Sequence, residues 1–238
     1  MKVRSGRPAQ MGGNQLMAAL PLRDRENLQP MMTVVQMTYR QLIQLSGEQM
    51  GVVYFPITAV LSLVSVMSDG SSTELGLVGN EGMAGLPALL GLGAQPFEME
   101  VVVTGTAYRM SASALADAAH LSVPLVNLLL RYTQMFLDHV AQGVACSTHH
   151  TVKQRLARLL MTIHDAIQAD QLCMTQEFLS HMLGVGRPRV SLALAIFQGA
   201  GHIQCSRGSI TVIDRSALAT EACECYQITR DEYVQLYP

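Results

Sequence analysis

The chain has 238 residues, a net charge of −2, 49% hydrophobic and 14% charged residues, no Trp and 15 Met. This length suits two modest domains, and the composition excludes a wholly disordered chain. The charge balance gives no global reason to expect nucleic acid, so any basic footprint has to be local.

Residues 1–13 are polar, basic and glycine-containing, and read as a mobile tail. Asn14 to Met37 mixes helix formers with breakers at Pro21 and Pro30, which predicts short helices. Gln49 to Ser68 carries no charge and is long enough to span a bilayer, but Pro56 and its β-branched residues make it strands. Asp69-Gly70 between Leu61–Met67 and Thr73–Val78 signals a hairpin, and Glu98–Thr104 reads as a further strand. Short glycine-punctuated strands of this kind predict a small antiparallel barrel or roll.

From Ser111 the pattern becomes helical, with Ser111 and Ser113 as candidate caps for a helix through Ala119. Pro124 opens a long helix in which Leu125, Leu128, Leu129, Tyr132, Met135, Phe136, His139, Val140, Gly143 and Val144 recur at three- and four-residue steps. A stripe this long needs a partner. Packing on the chain's own roll is one reading, and a symmetric helix pair across a dimer axis is the one expected here. Thr151 to Ile167 continues as a helix with Leu156, Leu159, Leu160 and Ile163 inward.

The most informative stretch is Met174 to Val212. Thr175 caps a helix that stops at Gly184. Val185-Gly186 makes a short turn, and a second helix opens with Arg187-Pro188-Arg189 and ends by Gly199–Gly201. Ile203–Cys205 and Ile210–Ile213 flank a tight turn carrying Arg207, Gly208 and Ser209. Two helices, a glycine turn and a following hairpin make a winged helix-turn-helix. Its second helix enters the major groove, where Arg187 and Arg189 can fork onto guanine edges. Thr175 and Gln176 can meet a phosphate through the helix N-terminus, and Arg207 and Ser209 can do so from the wing. Gly186 and Ser191 complete the expected DNA-contact set.

The run Thr175-Gln176-Glu177-Phe178-Leu179-Ser180-His181-Met182-Leu183-Gly184-Val185-Gly186-Arg187 resembles the first helix, turn and lead arginine of the Crp/Fnr superfamily. Gly201 to Ile213 resembles that family's wing, and Phe55-Pro56 with Gly79 to Leu86 resembles its roll. The resemblance implies an α+β fold: an N-terminal antiparallel β-roll of the cyclic-nucleotide-binding type, a long central dimerisation helix, and a C-terminal winged helix-turn-helix. The expected divisions are 14–123 for the sensor roll, 124–150 for the dimerisation helix and 151–238 for the DNA-binding domain. It also implies a homodimer that binds double-stranded DNA, with RNA polymerase as a partner. The odd, scattered cysteines fit a reducing cytoplasm, the strand reading of Gln49 to Ser68 leaves no membrane span expected, and the lack of a nucleophile motif, P-loop or His-Glu-x-x-His leaves no catalysis expected.

The sensor half departs from the cyclic-nucleotide pattern. Met83 follows Gly82 where that branch has a ribose-binding carboxylate, and Gln95-Pro96 stand where its arginine belongs. Gly82, Met83, Gly85 and Gln95 are therefore the candidate effector residues, with cyclic AMP not expected to bind. No cysteine precedes Cys146, so an N-terminal iron–sulfur cluster is not expected. Pro188 and Leu192 replace charged residues of the cyclic-AMP branch, so a different operator is expected. Cys223-x-Cys225 reads as a pair on one C-terminal helix, similar to one proteobacterial branch, and His149, His150 and His164 as solvated or packed residues. No metal and no cofactor are expected. The competing reading is a ligand-sensing or protein-interaction module whose winged domain no longer binds DNA.

Overall fold

The computed structural model describes residues 13–91 and 94–237, so nearly all of the expected tail lies outside the described residues. The chain begins with two short helices, α1 (Gln15–Ala18) and α2 (Leu22–Leu28), and a 3-10 turn, Gln29–Met31. Asn14 is buried and works twice. Its Oδ1 caps α1 by accepting from Met17 N–H at 3.0 Å, and its Nδ2 donates to the Pro56 and Gly82 carbonyls at 2.9 and 2.8 Å. The entry segment is thereby pinned to the roll.

The roll has two antiparallel sheets. One has the order β1 (Thr33–Met37), β7 (Gly105–Ser111), β3 (Val52–Pro56). The other has the order β2 (Leu42–Gln44), β6 (Glu98–Val103), β4 (Val60–Val66), β5 (Ser72–Val78). Helix was expected as far as Met37, but Thr33–Met37 is a strand registered against Met37↔Gly105 and Thr33↔Arg109. Its β-branched residues outweigh the helix formers before them once a partner strand exists. The Asp69-Gly70 hairpin forms as expected, with Asp69 Oδ1 accepting from Ser71 N–H at 2.8 Å. A short helix, α3 (Leu86–Leu89), lies in the β5–β6 connection.

Ser111 caps α4 (Ala112–Leu121), and Ser122 caps α5 (Val123–His149), a 27-residue helix about 40 Å long at ~1.5 Å per residue. Thr151 and Gln154 form a reciprocal capping box that restarts the chain as α6 (Val152–Ile167). β8 (Gln171–Leu172) pairs with the wing, and α7 (Gln176–Leu183), α8 (Arg187–Gly199), β9 (Ile203–Ser206) and β10 (Ser209–Val212) follow. Two more helices come after the wing, α9 (Arg215–Glu221) and α10 (Cys225–Leu236).

Expected as one unit with the wing, α10 instead runs back along α5 and onto the roll. Tyr233 stacks edge-on against His139 with ring centres 4.7 Å apart, and Arg131 donates to the Gln235 carbonyl at 2.8 Å. Leu236 is buried in the roll core, and the Tyr237 hydroxyl donates to the Glu81 carbonyl. At its other end Tyr226 donates to Asp165 on α6, which also pairs with Arg215 at 2.6 Å. Among the described residues, no helix is long and apolar enough to cross a membrane.

Candidate nucleic-acid interface

Thr175 Oγ1 accepts from Phe178 N–H at 3.1 Å and starts α7. Phe178, Leu179, Met182 and Leu183 then turn inward onto Val190, Ala193, Leu194 and Phe197 of α8. Gly184 ends α7 at φ +62°, with its own N–H on the His181 carbonyl and Val185 N–H on Ser180. This left-handed stop needs glycine, and an added Cβ would also stand 3.2 Å from Thr73 Oγ1 of the roll. Gly186 flanks α8 in an extended conformation, and Pro188 sits in its first turn, where no backbone donor is needed.

The two helices are tied by side chains as well as by packing. The Ser191 hydroxyl donates to Gln176 Oε1 at 2.6 Å. Gln198 at the far end of α8 accepts from Cys205 N–H at 2.8 Å, fixing the wing to the same helix. The wing turns at Arg207-Gly208, with Gly208 at φ +76°.

These ties leave one open cleft of about 340 Å³, lined among others by Thr175, Gln176, Arg187, Arg207 and Ser209. Arg187, Arg189 and Arg207 are all exposed. The outer face of α8 continues from Arg189 through Leu192, 65% exposed, to Ile196, 45% exposed. Two expected contacts point elsewhere. Ser209 is buried, with its hydroxyl accepting from Gln171 at 3.2 Å, and Ser191 faces Gln176. Sequence reasoning overlooked Ile196 as a surface residue, although its position seven after Arg189 and four after Leu192 gives the face away.

The expected dimer stripe is redistributed. Leu125, Leu128, Leu129, Tyr132 and Met135 are buried in the roll core of their own chain, and Phe136 packs against it. His139 meets α10, and Val140 and Gly143 line a groove beneath β5. The own-roll alternative therefore accounts for most of the stripe. What α5 leaves open is a second row, Val123, Leu130, Leu137 and Val144, each 56–71% exposed and spaced by seven residues.

The candidate effector residues do not line any of the four described cavities. Tyr132 fills the space above Gly82 and Met83: its hydroxyl donates to the Met83 carbonyl at 3.0 Å, and a Cβ on Gly82 would stand 2.2 Å from that oxygen. Gly85 holds φ +115° against Val53. Gln95 is buried, with neither amide atom hydrogen-bonded.

Two short helices around a glycine turn, a hairpin wing and an arginine-lined cleft define a winged helix-turn-helix protein, here joined by one long helix to a β-roll. Residues 154–221 match the Crp-like helix-turn-helix domain. Over 81% of its length the chain has the fold of FixK2 from Bradyrhizobium japonicum, at 17% identity and TM-score 0.67, covering 98% of that chain. It is similar to the c-di-GMP-responsive global regulator CLP of Xanthomonas campestris, at 15% identity and TM-score 0.65, over 81% and 99%. A CRP-family transcriptional regulator from Thermus thermophilus matches at 19% identity and TM-score 0.65, over 79% and 96%. No curated protein matches the chain by sequence. Residues 154–221 thus form a Crp-like helix-turn-helix domain, and the chain as a whole shares the fold of Crp/Fnr-type structures.

Proposed function

We propose that the protein is a homodimeric, cytoplasmic transcription regulator that reads an inverted repeat with one α8 per subunit. The observation that carries this reading is the cleft gathering Arg187 and Arg207, continuous with the exposed α8 face of Arg189, Leu192 and Ile196. Arg187 supplies base readout, Leu192 an apolar contact suited to a thymine methyl, and Arg207 a phosphate contact. Gly186, Thr175 and Gln176 offer backbone at two helix starts, where phosphate is favoured.

The seven-residue row on α5 supports the dimer. With Val126, Thr133 and Val140 three residues after Val123, Leu130 and Leu137, it has the seam spacing of a parallel coiled coil. In this arrangement residues 14–123 act as a sensor roll, 124–150 as the dimer helix and 151–238 as the DNA-binding part, except that α10 docks back on α5 and the roll, and RNA polymerase is a partner. Cyclic AMP is not the effector, because Tyr132 occupies the space above Gly82-Met83 and Gln95 stands where the cyclic-nucleotide pattern needs an arginine.

A gel-shift selection from random duplexes, run at several salt concentrations, tests the reading. Enrichment of an inverted repeat with half-sites about 34 Å apart is expected. Failure of every duplex, with and without cell extract, favours the interaction-module reading and removes this one.

A further inference from the structure

Cys146 and His150 stand one helical turn apart where α5 ends, and Cys223 and Cys225 flank Glu224 where α10 begins. The chain brings them together from positions 77 residues apart, and the three sulfurs form a small buried cluster of their own. All four ligand atoms lie within 4.8 Å of one another. Cys146 Sγ is 3.5 Å from Cys223 Sγ, and Cys225 Sγ is 3.6 Å from His150 Nδ1. A tetrahedral zinc ion, with bonds of about 2.3 Å to sulfur and about 2.0 Å to nitrogen, sets its ligands about 3.8 Å apart for two sulfurs and about 3.6 Å for sulfur and nitrogen. The sulfur separation is well beyond the ~2.05 Å of a disulfide.

The surroundings are those of a metal site. Nε2 of His150, the nitrogen turned away from the cysteines, meets Glu224 Oε2 at 3.1 Å, as outer carboxylates do when they orient a ligating imidazole. Gln142 Nε2 donates to Cys225 Sγ at 3.0 Å. Arg158 lines the same groove as Cys146, and its charge offsets the single negative charge left by three thiolates and one divalent cation.

We propose that Cys146, His150, Cys223 and Cys225 bind one zinc ion in a closed, structural site. Four protein ligands leave no open position for catalysis, and the compact spacing admits a single ion rather than an iron–sulfur cluster. Sulfur with imidazole in tetrahedral array selects zinc among the common divalent ions. Binding breaks the S–H bonds of the thiols, forms metal–thiolate bonds and releases the protons to solvent. His150 is also the cap between α5 and α6, so the ion clamps α10 to the joint that carries the winged domain.

The sequence expectation of no metal missed this cluster because Cys223-x-Cys225 lacks the common zinc spacing, and its partners are far away in the chain. Full-length protein, purified reduced and without chelator, tests the proposal by elemental analysis. One zinc per chain is expected, retained in Cys173→Ser and lost in Cys225→Ser and His150→Ala. Glu224→Gln should keep the ion but bind it about 10- to 100-fold more weakly in competition with a chelator. Should the ligand variants fail to fold, the parent protein still decides. Cobalt substitution should give intense tetrahedral and thiolate charge-transfer bands, and Cys146, Cys223 and Cys225 should resist alkylation until a chelator is added. A metal-free parent after reducing zinc reconstitution, or those three thiols alkylating as fast with zinc as without, overturns the proposal. None of these readouts depends on DNA.

Discussion

The Ser191 hydroxyl meets Gln176 Oε1 at 2.6 Å across the helix-turn-helix, so the helix that carries Arg187 is keyed to the helix before it by a side-chain bond as well as by packing. Ser191→Ala removes the donor, and an average hydrogen bond contributes about 1 kcal/mol. Because the bond is already made in the free protein, its loss should lower the melting temperature by about 2–4 °C, and fluorescence anisotropy on the selected duplex should show weaker binding to the extent that the bond holds α8 in its binding orientation. Unchanged affinity would mean the packed Phe178–Phe197 core alone sets the helix angle.

Arg187 and Arg207 are predicted to differ in kind. Arg187→Ala should cost about 1–3 kcal/mol per half-site on the cognate duplex and reduce discrimination against a scrambled one. Arg207→Ala should weaken both duplexes alike and reduce the salt slope by roughly one for each phosphate it no longer neutralises. If the cognate-to-scrambled ratio is the same in Arg187→Ala as in the parent, Arg187 does not read bases.

Two leucines on α5 separate the proposed dimer seam from the roll core. Leu137→Glu places a charge on the exposed row and should shift the protein to monomer in sedimentation while leaving the fold intact. Leu129→Ala empties a buried site and should cost about 2–5 kcal/mol of stability without selectively splitting the dimer. The reverse pattern would return the interface to the stripe first read from the sequence.

Glu74 on β5 gives a pH signature. Burial raises its carboxyl pKa to about 7 from 4.5, against the pull of Arg158 and Arg155 on α6. Between those values the folded protein holds more protons than the unfolded chain, so stability falls as pH rises through that window. This contribution is full below about 4.5 and lost above about 7. Urea titrations across the window should show a flatter slope in Glu74→Gln. Equal slopes would mean that the carboxyl is solvated in the folded protein.

The winged half was legible because its signals are local. Thr175, Gly184, Pro188 and Gly208 each dictate their turn through their own backbone preferences, and the order of elements follows. The role of α5 was harder to read because the helix carries two apolar rows. Periodicity locates Leu125–Met135 and Val123–Val144 equally well but says nothing of which neighbour covers which row. Thr33–Met37 misled for a related reason, since its strand depends on β7, about 70 residues later. Tyr132 above Gly82 and the Cys146–Cys223 approach are likewise products of tertiary folding, invisible to any window along the chain.

The return of α10 along α5 interlaces the two halves. The chain leaves the roll through α5, builds the winged domain, and comes back to bury Leu236 in the roll and seat Tyr237 on Glu81. A protease nick between α5 and α6, at Thr151, therefore yields fragments that stay associated, because the second fragment carries its own anchor into the first. The same two pieces, expressed separately, form a split protein whose reassembly requires the far end of one to find the beginning of the other.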